Sequence, residues 1–92
     1  MQRSIEIEAS PEEVWEAIAT DEGREAWLDD ERPVHVESVE EPSRLVWWWA
    51  EDERWTRVEV TLEPLVSTTR VVVRETAPVF PLVALARAWA VV

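Results

Sequence analysis

Cysteine, lysine and tyrosine are absent from this chain, and glycine and histidine occur once each. Without cysteine there is no disulfide framework and no thiolate chemistry. A single histidine, His35, excludes a histidine-rich metal site and a His–His relay. No apolar run reaches the roughly 20 residues that a bilayer-spanning helix needs. Met1-Gln2-Arg3-Ser4 leads straight into a strand pattern, so a soluble, cytoplasmic protein is expected. Positive charge is also scarce, and the net charge is −11. Nucleic acid and anionic membranes both need a basic footprint, and both are excluded as partners on that ground. No nucleophile elbow, phosphate loop or zinc spacing is present, so no metal and no cofactor are expected.

What the chain has instead is tryptophan, seven in 92 residues, three of them adjacent in Arg44-Leu45-Val46-Trp47-Trp48-Trp49-Ala50. A helix would scatter three neighbouring indoles around its circumference, where no single face could bury them. A strand sorts them: Leu45, Trp47 and Trp49 to one side, Val46, Trp48 and Ala50 to the other. The strand is the expected state.

The remaining chain reads as one domain, residues 1–92. Ser4 to Ala9 alternates, with Ile5, Ile7 and Ala9 inward. Ser10-Pro11-Glu12-Glu13 is a capping box with proline at the first helical position, and it predicts a helix to about Thr20. A second short helix is expected after a cap at Thr20 or Asp21, weakened by Gly23 by about 1 kcal/mol. Asp29 to Pro33 reads as an acidic loop. Val34 to Val39 reads as a strand whose valines at 36 and 39 share a face only across a bulge. Trp55–Glu63 and Thr69–Glu75 form a hairpin, with Val58, Val60, Leu62, Val71 and Val73 inward. Glu59 and Glu63 lie diagonal to Arg70 and Arg74 on its outer face, and Trp48 and Arg57 suit a surface cation–π contact. Leu82, Leu85, Ala86 and Trp89, with Val83 and Val92, predict a C-terminal helix of about thirteen residues buried on more than one side.

Strand, two short helices, antiparallel strands and a last helix make an α+β chain. Ser4-Ile5-Glu6-Ile7-Glu8-Ala9-Ser10-Pro11-Glu12-Glu13-Val14-Trp15 resembles the opening of the START-like helix-grip (SRPBCC) superfamily. Val39 to Trp49 is similar to the central signature of its polyketide-cyclase and heat-shock-chaperone-ATPase-activator-like branch. Val58 to Pro64, followed by Thr69 to Glu75, resembles its closing hairpin. The resemblance implies a curved antiparallel sheet of five to six strands wrapped on a C-terminal helix. It differs in lacking the further hairpin that relatives place before the strand near Pro33.

The resemblance also implies a ligand site between the sheet and the last helix. In this chain that site would be lined by Trp27, Trp47, Trp49, Val58, Val60, Val71, Val73, Glu75, Leu85 and Trp89, an apolar slot suited to a small hydrophobic molecule. The alternative is that these indoles simply fill the core. Glu75 shares the inward parity of Val71 and Val73 and is the one candidate acid, unless it sits at the strand end in water beside an arginine. His35 reads as an edge histidine, and Asp29-Asp30-Glu31 and Glu51-Asp52-Glu53 read as solvated turns rather than cation sites. The leading expectation is a non-catalytic carrier of a small apolar ligand. The second is an interaction or regulatory module, a homodimer or co-chaperone-like protein with a tryptophan-filled core. An outward apolar patch at Trp48, Trp55 and Val72, or a sheet edge left bare, would favour the dimer.

Overall fold

Local signals set the order of elements in the computed structural model, which describes residues 1–28, 33–51, 53–77 and 79–89. They run β1 (Gln2–Ile7), α1 (Pro11–Ala19), α2 (Asp21–Glu25), β2 (Val34–Glu40), β3 (Arg44–Glu51), β4 (Arg54–Pro64), β5 (Thr69–Glu75) and α3 (Leu82–Arg87). The five strands form one antiparallel sheet in the order β1-β5-β4-β3-β2. This is the α+β layout expected. The expected acidic loop at Asp29–Arg32 and the position of Val92 lie outside the described residues.

The capping box is built as its residues dictate. The Glu13 N–H donates to the Ser10 hydroxyl at 3.2 Å, and the Ser10 N–H donates to the Glu13 carboxylate at 3.3 Å. Thr20 then ends α1 and starts α2: its hydroxyl donates to the Glu16 carbonyl at 2.7 Å and accepts from the Gly23 N–H at 2.9 Å. Gly23 is more than a weak helix residue. A Cβ at that position would lie 2.0 Å from the Glu16 carbonyl oxygen, so only glycine lets α2 fold back onto α1. Both helices keep their acids outward, with Glu12, Glu13, Glu16, Asp21, Glu22 and Glu25 all exposed.

Alternation puts Ile5, Ile7, Leu45, Trp47, Trp49, Val58, Val60, Leu62, Val71 and Val73 on one sheet face, against Val14, Trp15 and Ile18 of α1 and Leu82 and Leu85 of α3. The expected bulge lies between Val36 and Ser38. It brings Val34, Val36 and Val39 opposite Trp49, Trp47 and Leu45, on that same inner face.

α3 departs from expectation. It has six residues, not about thirteen, and Trp89 follows it in a turn. Its start at Pro81 has no side-chain cap. At its end the Ala88 and Trp89 N–H groups bond three residues back, which tightens the last turn. Burial on more than one side also fails, because Val83 is 64% exposed.

Candidate ligand site and the open sheet edge

Nine of the ten expected lining residues are buried; eight of them share one apolar cluster, Glu75 is a buried carboxylate, and the tenth, Trp89, is half-buried against the cluster. β3 supplies Trp47 and Trp49, β4 supplies Val58 and Val60, and β5 supplies Val71, Val73 and Glu75. Trp27 comes from the turn after α2, where its indole Nε1–H donates to the Ala17 carbonyl at 2.8 Å. The cluster is completed by a residue that sequence reasoning did not single out. Phe80 is 1% exposed and stands at the centre of the rings: 5.7 Å from Trp27, 6.0 Å from Trp47 and 5.6 Å from Trp49, stacked on the last. Trp47 and Trp49 are themselves 5.3 Å apart. These are contact separations for aromatic pairs, so the rings occupy the space between them. Within the rings, the buried Nε1–H of Trp47 has no acceptor among the described residues.

Phe80 is fixed by Glu75, and here the expectation of a carboxylate in water is corrected. The Glu75 side chain is fully buried. One oxygen pairs with Arg3 Nη2 at 2.9 Å, and the other accepts the Phe80 N–H at 2.9 Å. Arg3 also donates to the Phe80 carbonyl at 2.6 Å. Arg3 shares the inward parity of Ile5 and Ile7, which is the signal that could have found it. Phe80 had no periodic signal, since it lies between two prolines ahead of the helical repeat. With both oxygens occupied, Glu75 acts as a clasp between β1, β5 and the segment leading to α3.

The outer face of the sheet is ionic. Glu59 sits between Arg44, at 2.6 Å, and Arg74, at 3.4 Å, and the Arg44 guanidinium above all holds its carboxyl below the usual range. Arg70 lies between Glu6 and Glu63, at 3.6 and 3.7 Å. Glu59 and Glu63 are directly opposite Arg74 and Arg70, not diagonal to them. Glu37, the extra residue of the bulge, was also missed. It accepts two bonds from Arg57, at 3.1 and 2.8 Å, and one from the Trp48 indole at 3.0 Å. These donors, Arg57 first, lower its pKa from 4.5 to about 2. Trp48 and Arg57 therefore meet through a shared carboxylate, replacing the expected cation–π contact. The expected outward apolar patch is absent as well. Val72 is 8% exposed and Val46 fully buried on this face, leaving Trp55 as its exposed apolar side chain, at 54%. A groove of about 460 Å³ over β1 and β5 is lined by Arg70, Arg74, Glu6, Glu63, Gln2, Ser4, Ile5 and Val72, with its charges already paired.

On the sheet's inner face, apolar side chains are bare on β2, the edge strand, where Val36 is 48% and Val39 56% exposed. His35 is exposed on the opposite face of that strand, as an edge histidine. Among the described residues no group of three or more His, Asp or Glu could hold a metal ion, and no helix is long and apolar enough to cross a membrane.

No family model matches this chain, and no curated protein matches it. Solved structures do. The chain is similar to DynU16, from the dynemicin biosynthetic locus, with a TM-score of 0.75 and 19% identity over 95% of this chain and 45% of that one. It is similar to the Aha1 dimer of Colwellia psychrerythraea, with a TM-score of 0.74 and 20% identity over 97% of this chain and 94% of that one. CalU16 of Micromonospora echinospora gives a TM-score of 0.68 and 19% identity over 80% of this chain and 57% of that one. The chain thus spans less than half of DynU16 and just over half of CalU16. On these likenesses, and with its strand, two short helices, four further strands and last helix, this chain has the helix-grip fold.

Proposed function

We propose that this chain is a non-catalytic interaction module that pairs with a second copy of itself. The observation that carries this reading is the exposed inner face of β2, where Val36 and Val39 extend the apolar surface of Leu45 and Trp47 to the sheet edge. Solvent contact at two valines on a strand whose outer edge pairs with no other described strand supports a surface for a partner. The packing of Trp27, Trp47, Trp49 and Phe80 ring against ring supports the same reading, because the slot that would hold a ligand is occupied by side chains. One structural neighbour is described as a dimer, which agrees with it. Sedimentation at several concentrations tests the proposal: a reversible monomer–dimer equilibrium is expected, and a monomer throughout sinks it.

One observation favours the ligand reading as a second. The unpaired Nε1–H of Trp47 is a donor inside an apolar cluster, and such a group gains about 1–3 kcal/mol from an acceptor. On this reading Trp27, Trp47, Trp49, Val58, Val60, Val71, Val73, Glu75, Leu85 and Trp89 would open around a small apolar molecule carrying one acceptor atom. Tryptophan fluorescence against a panel of apolar ketones and ethers separates the two. A saturable shift establishes the ligand site, and a flat response leaves the interaction module.

A further inference from the structure

We infer that the second copy adds to the β2 edge in one register, with Val36 of each chain opposite Val39 of the other, to give a continuous ten-stranded sheet. The inference rests on the interaction-module reading and specifies its interface.

The choice of edge comes first. β1, the other edge, turns a charged residue inward, Arg3 clasped to Glu75, and α3 is the helix nearest to it. Inward charge and a covering helix are the usual protections of an edge. β2 has neither lysine nor proline between Val34 and Glu40. Its protections are the exposed Glu37 and Glu40 and the bulge at Glu37, and the bulge is what selects the register.

A twofold axis perpendicular to the sheet pairs the two β2 strands antiparallel and keeps both inner faces on the same side. Each residue must then meet one that points the same way. Along β2, Val34, Val36 and Val39 point inward with Trp49, Trp47 and Leu45. His35, Ser38 and Glu40 point outward with Trp48, Val46 and Arg44, and the bulged Glu37 reaches out to Trp48 and Arg57. If Glu37 faced its own equivalent, Val36 would meet Ser38 and Val34 would meet Glu40, every flanking pair mismatched. Facing Val36 with Val39 matches them all: His35 with Glu40, Val36 with Val39, Glu37 with Ser38. Shifting by one or two residues to either side restores at least one mismatch. Two bulges that would each blunt an edge are compatible with one another in this pairing alone.

The chemistry of the matched pairs agrees. The four valines form an apolar strip across the axis, continuous on both sides with Leu45 and Trp47. On the outer face the His35 imidazole meets the Glu40 carboxylate of the second copy, twice. Glu37, its charge already held by Arg57, meets the uncharged Ser38.

A cysteine-free chain allows a direct test. Val36→Cys and Val39→Cys are made singly, at exposed positions that tolerate a small side chain. They are oxidised alone and as an equal mixture, and the cross-linked products are weighed by mass spectrometry. Facing residues in an antiparallel pair fall within disulfide range, whereas residues displaced along the strand require backbone movement. The mixture is therefore expected to cross-link position 36 to position 39 at least about tenfold faster than either variant cross-links to itself. Equal rates in a chain that sediments as a dimer would overturn this register and leave the interaction module standing, as would an uncross-linked dimer. A chain that sediments as a monomer and does not cross-link would overturn both.

Discussion

At the scale of single residues, Glu37 shows how one extra position in a strand becomes a charge site. The bulge delivers its carboxylate to a bidentate arginine and an indole N–H, a combination that stabilises the ionised form. Its folded pKa of about 2 lies below its ordinary value of 4.5. Stability from this group is therefore fully present above about pH 4.5 and is lost as the pH falls toward 2. Denaturant unfolding of the wild type and Glu37→Gln across that window checks it. The gap between them should be constant at neutral pH and close as acid is added; a gap independent of pH would show that the ion pair is not what holds the bulge.

Among the elements, the clasp at Glu75 matters most, because it joins β5 to β1 and to the segment entering α3. Glu75→Ala would leave the Phe80 N–H without an acceptor and strip a half-buried guanidinium of its carboxylate, with the Phe80 carbonyl as its remaining acceptor. A loss of about 2–4 kcal/mol is expected in urea unfolding, toward the range for breaking a buried pair. A loss below about 0.5 kcal/mol, typical of a surface site, would refute the clasp. The same elements show what alternation and caps make legible. Period-two patterns at Leu45-Trp47-Trp49 and Val58-Val60-Leu62 identify the inner face, and Ser10 to Glu13 places the start of α1. The valine spacing at 36 and 39 calls for the bulge. The partners that complete the site were hidden for a physical reason. Arg3 and Glu75 meet across 72 positions of sequence, and Phe80 is brought in by a loop with no period. Helical spacing after Phe80 also overstated α3, since apolar residues at positions 88 to 92 continue the pattern whether or not the helix does.

For the molecule as a whole, a net charge of −11 opposes every encounter between copies. Salt should therefore strengthen the dimer, because screening beyond a Debye length of about 10 Å at 0.1 M removes repulsion between distant charges. It leaves the valine strip at the axis untouched. Sedimentation at low and high ionic strength is expected to show several-fold tighter association at the higher. Weaker association would mean that the two His35–Glu40 contacts dominate the interface.

That charge is not spread evenly. The outer face of the sheet matches its arginines to its glutamates, whereas α1 and α2 set Glu12, Glu13, Glu16, Asp21, Glu22 and Glu25 against Arg24 alone. The two short helices therefore present an acidic surface, while the outer sheet face is close to neutral. A cationic support would attract the helices more strongly than that face of the sheet.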